Sequence, residues 1–332
     1  MKVCIVGAGA IGGFIGTRLA VSGQAQVSAL ARGATLQALQ QQGWRLRMGD
    51  QLLQAPARAE ARPDALGVQD LLVIAVKSPA LPALAPTLAP LIGRHTLLLP
   101  AMNGVPWWFA MGVPGLGAAP LHSVDPGGGI AAVLPAAQVI GCVVHASAAS
   151  PEPGLVQHQR GQGLIVGEPA GGTSERARHV AELLAQAGFE LSVSEHIRHD
   201  LWYKLWGNLT MNPVSALTGA TIDRILADPD VRNFCSAAMA EAATVGARIG
   251  CPISESPEDR HAVTARLGAF RTSMLQDVDA GRAIELDSIV AAVQELGQRT
   301  GVATPQVSAL LGLTRLFARG RGLYPPAAAQ TV

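Results

Sequence analysis

The sequence predicts an α/β fold, with a doubly wound parallel sheet in its N-terminal part, followed by an all-α region. Three observations carry this. Short, continuously apolar segments alternate with helix-period segments as far as about residue 196, the pattern of parallel strands covered on both faces by helices. The first of these strands stops at a glycine-rich turn that opens a helix. After His196 the apolar residues recur at helical spacing throughout. A length of 332 residues favours two domains, expected at 1–196 and 197–332.

Val3 to Val6 is a β-branched run ending at Gly7, and Ile11 to Ala20 follows as a helix with Gly12 and Gly16 on its packing side. Gln26 to Ala31 reads as a second strand and Thr35 to Gln42 as a second helix. Leu71 to Val76 is a fully apolar strand ending at Lys77. A helix with several prolines and a strand at Thr96 to Leu99 come next. Trp44 to Ala57 is too short and turn-rich for a helical crossover and reads as a hairpin-like insertion. Val139 to Ser147 and the stretch around Gly161 to Gly163 are further strands, Thr173 to Ala187 a helix, and Glu190 to Val193 the last strand. Helices are expected at 199–217, 229–250, 258–280, 284–300 and 304–319. The tail after Arg321 contains Pro325 and Pro326 and is expected to fray.

Composition narrows the function. With 25 Lys and Arg against 24 Asp and Glu, and no basic run, the chain has no general attraction to nucleic acid or to an anionic membrane. The charge is unevenly placed: residues 1–124 hold nine bases and four acids, which suits an anionic ligand. The uncharged stretch between Arg94 and Asp125 is broken by Pro100, Pro106, Pro114 and Pro120 and is not a membrane span. The N-terminus enters a glycine-rich turn directly, without a secretory apolar region, so a cytoplasmic enzyme is expected. Cys4, Cys142, Cys235 and Cys251 are far apart and without a C-x-x-C pair; they read as core thiols, and no metal is implied.

Gly7-Ala8-Gly9-Ala10-Ile11-Gly12 follows a strand and opens a helix, the context that gives a G-x-G-x-x-G its meaning. Gly7 serves the tight turn, Gly9 lets the backbone approach a pyrophosphate, Gly12 permits close helix packing, and the helix N-terminus adds positive potential. This is the Rossmann-type dinucleotide fingerprint. An NAD site would place a carboxylate at the end of the second strand, but the first acidic residue of the chain is Asp50, and the strand ends in Ala31-Arg32. A guanidinium there can clamp a 2′-phosphate, so NADP (NADPH) is the expected cofactor; the alternative is a solvated loop arginine.

Arginines outnumber lysines 22 to three, Lys2, Lys77 and Lys204. Lys77 stands at the carboxyl end of an apolar strand, the edge that borders the ligand crevice in open α/β sheets, unless it is a strand-end charge facing water. Lys204, Asn208 and Asn212 fall within about 80° on one helix face. Asn is a poor helix former, so two in register beside a lysine form a stripe that faces something specific. Hydride reduction of a ketone generates an alkoxide and needs a proton donor, a role a partly desolvated lysine can fill. The chain has no Y-x-x-x-K arrangement and no G-x-S-x-G. Further on, Ser273 and Asp277 share a helix face, and Glu285 opens the next helix, where a carboxylate would also suit the dipole alone.

Gly7-x-Gly9-x-x-Gly12, Arg32, Lys77, Asn103-Gly104, Lys204-x-x-x-Asn208-x-x-x-Asn212-Pro213, Ser273-Met274 and Gly281-Arg282-x-x-Glu285-x-Asp287 together resemble the ketopantoate reductase family, collinearly over nearly the whole chain. The resemblance implies NADPH-dependent reduction of 2-dehydropantoate to pantoate, on the way to pantothenate and coenzyme A. It implies Lys204 as general acid, with Glu285 ordering Lys204 and substrate. Asn208, Asn212 and Ser273 would hold the substrate's hydroxyl and carboxylate, and Lys77 and Asn103 would line the cleft beside the nicotinamide. Departures from the family pattern are Met102 where Gln often precedes the Asn-Gly turn, Trp107-Trp108 adding bulk near the expected cleft, and Thr221-Ile222 where some members have Asn. The expected partner is a small 2-oxo acid, and a homodimer is a candidate assembly. Competing readings are a paralogous NADPH-dependent reductase of another 2-oxo acid, a 3-hydroxyacid or opine-type dehydrogenase, and a non-catalytic NADP(H)-sensing module. A sensor has no use for a Lys-Asn-Asn stripe, and Arg32 with the G-R-x-x-E-x-D segment favours the reductase.

Overall fold

The computed structural model describes residues 1–326. Its contacts divide the chain into unit 1, formed by 1–109 with 127–200, and unit 2, formed by 110–126 with the chain from 201 onward. In chain order, unit 1 contains β1 (Lys2–Val6), α1 (Ala10–Ser22), β2 (Gln26–Leu30), α2 (Gly33–Gln42), β3 (Trp44–Met48), β4 (Gln51–Ala55), β5 (Arg58–Glu60), β6 (Leu71–Ile74), α3 (Leu81–Leu84), β7 (Leu97–Pro100), α4 (Gly129–Val133), β8 (Gly141–Glu152), β9 (Leu155–Gly167), α5 (Glu175–Gln186) and β10 (Glu190–Ser194).

A parallel sheet runs in the order β5-β2-β1-β6-β7. Central β1 pairs with β2 through Val6 and Leu30 and with β6 through Val6 and Ile74. Val3–Val6 and Leu71–Ile74 are buried without a break, which is why both segments read as unbroken apolar runs. A second sheet, mixed, runs β10-β9-β3-β4, with β8 antiparallel along β9. The β3–β4 hairpin expected in the Trp44 to Ala57 stretch turns at Gly49-Asp50 and joins this second sheet through β9. Helix α1 lies between the two layers. A Cβ on Gly16 would stand 2.6 Å from the Trp44 ring and 3.0 Å from Ile5, so this approach depends on glycine. Arg18 of the same helix donates to the Ala187 carbonyl (2.9 Å) and to Gln162 (2.7 Å), and its guanidinium covers the Phe189 ring at 4.4 Å.

Two readings of unit 1 are corrected. The segment after Lys77 is not a regular helix: 3-10 turns flank the single turn of α3. Pro82, Pro86 and Pro90 recur every fourth residue and remove the donors an α-helix would use. Trp107 and Trp108 add no bulk to a cleft, being 1% and 0% exposed. The Trp107 indole donates to the Leu134 carbonyl at 3.0 Å, and Trp108 packs on Gly141.

Unit 2 takes up α6 (Ile197–Thr218) from Leu201 onward and adds α7 (Ile222–Ala227), α8 (Pro229–Arg248), α9 (Pro257–Ala265), α10 (Ser273–Asp279), α11 (Ala292–Thr300) and α12 (Pro305–Gly320). Met211, Val214, Ile222, Ile225, Cys235 and Leu310 form one core cluster. The Glu241 carboxylate caps α12 by accepting from Gln306 N (2.9 Å) and Val307 N (3.0 Å). The single helix expected at 258–280 is two. A capping box on Ser256 and Asp259 starts α9, the chain turns at Gly268 (φ +63°), and Thr272 caps a new start by accepting from Leu275 N at 3.2 Å. The short α7 carries no periodic signal long enough to announce it. Segment 110–126 belongs to this unit through Glu295 and Arg299 of α11, whereas the sequence placed a single cut at 196. The tail does not fray at once: Leu323 is buried, and Tyr324 donates to Asp287 at 2.5 Å. The rest of it, 327–332, lies outside the described residues. Among the described residues no helix is long and apolar enough to cross a membrane, and the four cysteines are buried free thiols.

Candidate functional site

Unit 1 opens a groove of about 440 Å³ at the carboxyl edge of its parallel sheet, lined by Val6, Gly7, Ala8, Gly9, Leu30, Ala31, Arg32, Thr35 and Val76, among others. The glycines of the β1–α1 turn differ in what holds them. Gly7 has φ +90°, and a Cβ there would meet Val76 at 2.6 Å; a Cβ on Gly12 would stand 2.0 Å from the Gly7 carbonyl oxygen. Both are required by the chain itself. Around Gly9 nothing lies within 4 Å of such a Cβ, so the open space in front of it is room for a ligand. No side chain caps α1, and its first turn carries no acid. The N–H groups of Ala10, Ile11 and Gly12 therefore keep the positive end of the helix available to an anion.

Arg32 is exposed, extends the end of β2, and occupies the N-cap position of α2, another helix start without an acid. With Thr35 it supplies the polar groups at this end of the groove. Lys77 and Asn103 stand three residues beyond Ile74 and Pro100, which are register partners on adjacent strands. Both therefore leave the sheet at the same edge; Lys77 is exposed and Asn103 half-buried. Neither lines the groove itself, nor do Ala10, Ile11 and Gly12.

Several lining residues escape the sequence reading: Ala61 and Pro63 after β5, and Ala80, Ala83, Leu84 and Thr87 on the proline-broken segment. A three-residue strand gives no periodicity, and the prolines disguise the turn that follows β6. Their signal was positional only, since each follows the carboxyl end of a strand in the parallel sheet.

In unit 2, α6 carries Lys204, Asn208 and Asn212 on one face, and their burial deepens along the helix: the first two are half-buried and Asn212 is 5% exposed. Tyr203 and Gly207, on the flank, receive the Arg260 guanidinium, which lies 4.6 Å over the tyrosine ring and in the space a Cβ of Gly207 would fill. Ser273 begins α10 directly after the Thr272 cap. Glu285 precedes the next helical segment and is 4% exposed, more deeply buried than a charge serving only a helix dipole. Between them, Asp277 accepts from Arg282 Nε at 3.0 Å, which ties α10 to the segment bearing Glu285. A half-buried lysine aligned with two amides, and a nearly enclosed carboxylate, are groups suited to moving a proton and holding a polar substrate.

Residues 3–171 match the family model described as ketopantoate reductase PanE/ApbA, and residues 196–318 match the model of its C-terminal part. A 2-dehydropantoate 2-reductase of Mesorhizobium japonicum is 42% identical over 98% of this chain and all of its own length. The crystal structure of a candidate ketopantoate reductase from Ralstonia solanacearum superposes with a TM-score of 0.93 at 54% identity, covering 97% of this chain and 99% of that one. A D-mandelate dehydrogenase solved with NADH and anilino(oxo)acetate shares the fold at a TM-score of 0.83 and 20% identity, over 97% of this chain and all of the other. With both models matched and full-length identity above two-fifths, the chain belongs to the ketopantoate reductase family and is an oxidoreductase.

Proposed function

We propose that this oxidoreductase reduces 2-dehydropantoate to pantoate with NADPH, a step toward pantothenate and coenzyme A. Family membership supports a nicotinamide dinucleotide as its cofactor. The observation that carries the choice of NADPH is the acid-free groove with Arg32 at its end. In this reading Gly7, Ala8, Gly9, Ala10, Ile11 and Gly12 hold the pyrophosphate, and Arg32 pairs with the 2′-phosphate. Lys77 and Asn103 attend the nicotinamide. When bound, NADPH supplies a hydride to the carbonyl carbon of a 2-oxo acid.

The chain's own contribution is the proton and the grip. Lys204 donates a proton to the carbonyl oxygen as negative charge develops there. Glu285 orders Lys204 and the substrate. Asn208, Asn212 and Ser273 hold the substrate's hydroxyl and carboxylate through directional hydrogen bonds, so that an analogue lacking the hydroxyl leaves a buried amide unpaired.

The test is steady-state NADPH oxidation by the purified protein with 2-dehydropantoate, beside a panel of other 2-oxo acids and with NADH as control. A kcat/KM of at least about 10⁴ M⁻¹s⁻¹ for 2-dehydropantoate is expected. Turnover confined to other oxo acids would overturn the substrate, and NADPH binding without turnover of any of them would overturn the catalytic reading.

A further inference from the structure

We propose that Tyr324 is a positioning residue for Glu285, and that the C-terminal segment acts as a clasp on the loop that presents that carboxylate. The proposal rests on the catalytic role given to Glu285 above.

Glu285 sits between two attachments to the same short segment. On one side the Ile284 N–H donates to the Leu323 carbonyl at 3.2 Å. On the other the Tyr324 hydroxyl donates to Asp287 Oδ1 at 2.5 Å. Adjacent residues near the C-terminus thus hold the residue before Glu285 and the second residue after it. The segment is itself anchored: Leu323 is 4% exposed, its N–H donates to the Ala318 carbonyl at 2.8 Å, and Arg319 donates from Nε to the Pro325 carbonyl at 3.0 Å while its guanidinium lies 5.5 Å over the Tyr324 ring. A frayed tail has no such set of partners.

The backbone around Asp287 needs this support. Asp287–Ala291 is a π-helical turn between Leu286 and α11, a widened geometry less favourable than a regular helix and frequent near functional groups. Asp287, the last member of the Gly281-Arg282-x-x-Glu285-x-Asp287 pattern, is explained by this role. Arg282 is fixed to Asp277 on the α10 side, and Asp287 is fixed to Tyr324 on the C-terminal side. Glu285 lies between the two fixed points.

The test is a double-mutant cycle in the full-length protein, with Tyr324→Phe, Glu285→Gln and the combination, and Asp287→Ala as a second route to the same loss. Tyr324→Phe removes a single oxygen and keeps the ring under Arg319. We expect it to lower kcat about tenfold, as misplacing a reacting group does, with NADPH affinity unchanged and the pH dependence of kcat displaced. Added to Glu285→Gln, it should cost nothing further, because the group it positions is already disabled. If Tyr324→Phe and Asp287→Ala lower only the unfolding midpoint, or if Tyr324→Phe multiplies the loss of Glu285→Gln in full, the clasp is structural and the proposal falls. If Glu285→Gln alone leaves kcat intact, the role of Glu285 fails first, and the proposal goes with it.

Discussion

The Glu295 carboxylate accepts from both the N–H and the hydroxyl of Ser123, at 2.8 and 2.7 Å. It also accepts from His122 N at 2.9 Å and Arg299 at 2.7 Å, while Arg299 donates to the Ala119 and Pro120 carbonyls at 2.9 and 2.7 Å. One ion pair on α11 therefore satisfies the backbone of a segment that carries no charge of its own between Arg94 and Asp125. Burial works to raise the Glu295 pKa, but the hydrogen bonds from Ser123, His122 and Arg299 outweigh it and hold the carboxyl below its ordinary 4.5. A depressed folded-state pKa gives stability that is present above the unfolded value and lost as pH falls through the folded one. Glu295→Gln should lower unfolding stability by about 1–3 kcal/mol at neutral pH. The gap to wild type should narrow below about pH 4.5. Urea unfolding of both proteins across pH checks this, and a gap independent of pH would contradict it.

Two glycines of one turn are expected to respond differently to the same change. Gly12→Ala forces a Cβ to within 2.0 Å of the Gly7 carbonyl oxygen and should lower the unfolding midpoint sharply. Gly9 has φ −78° and open space before it, so Gly9→Ala should fold as wild type yet weaken NADPH binding by about tenfold or more, since a methyl group then stands where the proposed site would bring the pyrophosphate close. Thermal denaturation and titration of NADPH fluorescence separate the effects. Unchanged affinity in the Gly9 variant would place the dinucleotide elsewhere.

Arg32→Asp exchanges the proposed 2′-phosphate partner for a group that can accept from ribose hydroxyls. Because Arg32 is exposed and donates no hydrogen bond on which the fold relies, the variant should keep its unfolding midpoint. Its kcat/KM with NADPH should fall about a hundredfold, with NADH unchanged or improved. Equal losses with both cofactors would mean that Arg32 does not read the phosphate.

What could be read from the sequence was whatever depends on local pattern. The β1–α1 turn announces itself because Gly7, Gly9 and Gly12 follow four buried apolar residues, and β6 because all its residues are buried. The Lys204-Asn208-Asn212 stripe was legible because helical spacing alone aligns it. The illegible features are set by partners far along the chain. Trp107 is buried because Leu134 offers it a carbonyl, segment 110–126 joins unit 2 because Glu295 and Arg299 satisfy its backbone, and Tyr324 is ordered because Asp287 accepts from it. Composition misled in one place, where prolines at every fourth position turned an expected helix into 3-10 turns.

The deepening burial along α6, from half-buried Lys204 and Asn208 to nearly enclosed Asn212, predicts how the three side chains divide their effects. A proton donor acts in the transition state, so with Lys204 as the proposed general acid Lys204→Ala should lower kcat by about two to four orders of magnitude and leave NADPH affinity, which the proposal assigns to the unit 1 groove, unchanged. In the proposed reading Asn208 and Asn212 hold the substrate before and during the step, so Asn208→Ala should raise KM more than it lowers kcat. Asn212→Ala should also lower the unfolding midpoint, because the amide it removes is buried beside Pro213, within the helix. Steady-state kinetics with 2-dehydropantoate, run beside thermal unfolding, distinguishes the three outcomes. A Lys204→Ala variant with wild-type kcat would remove the general acid from this helix face and leave the two asparagines as binding groups alone.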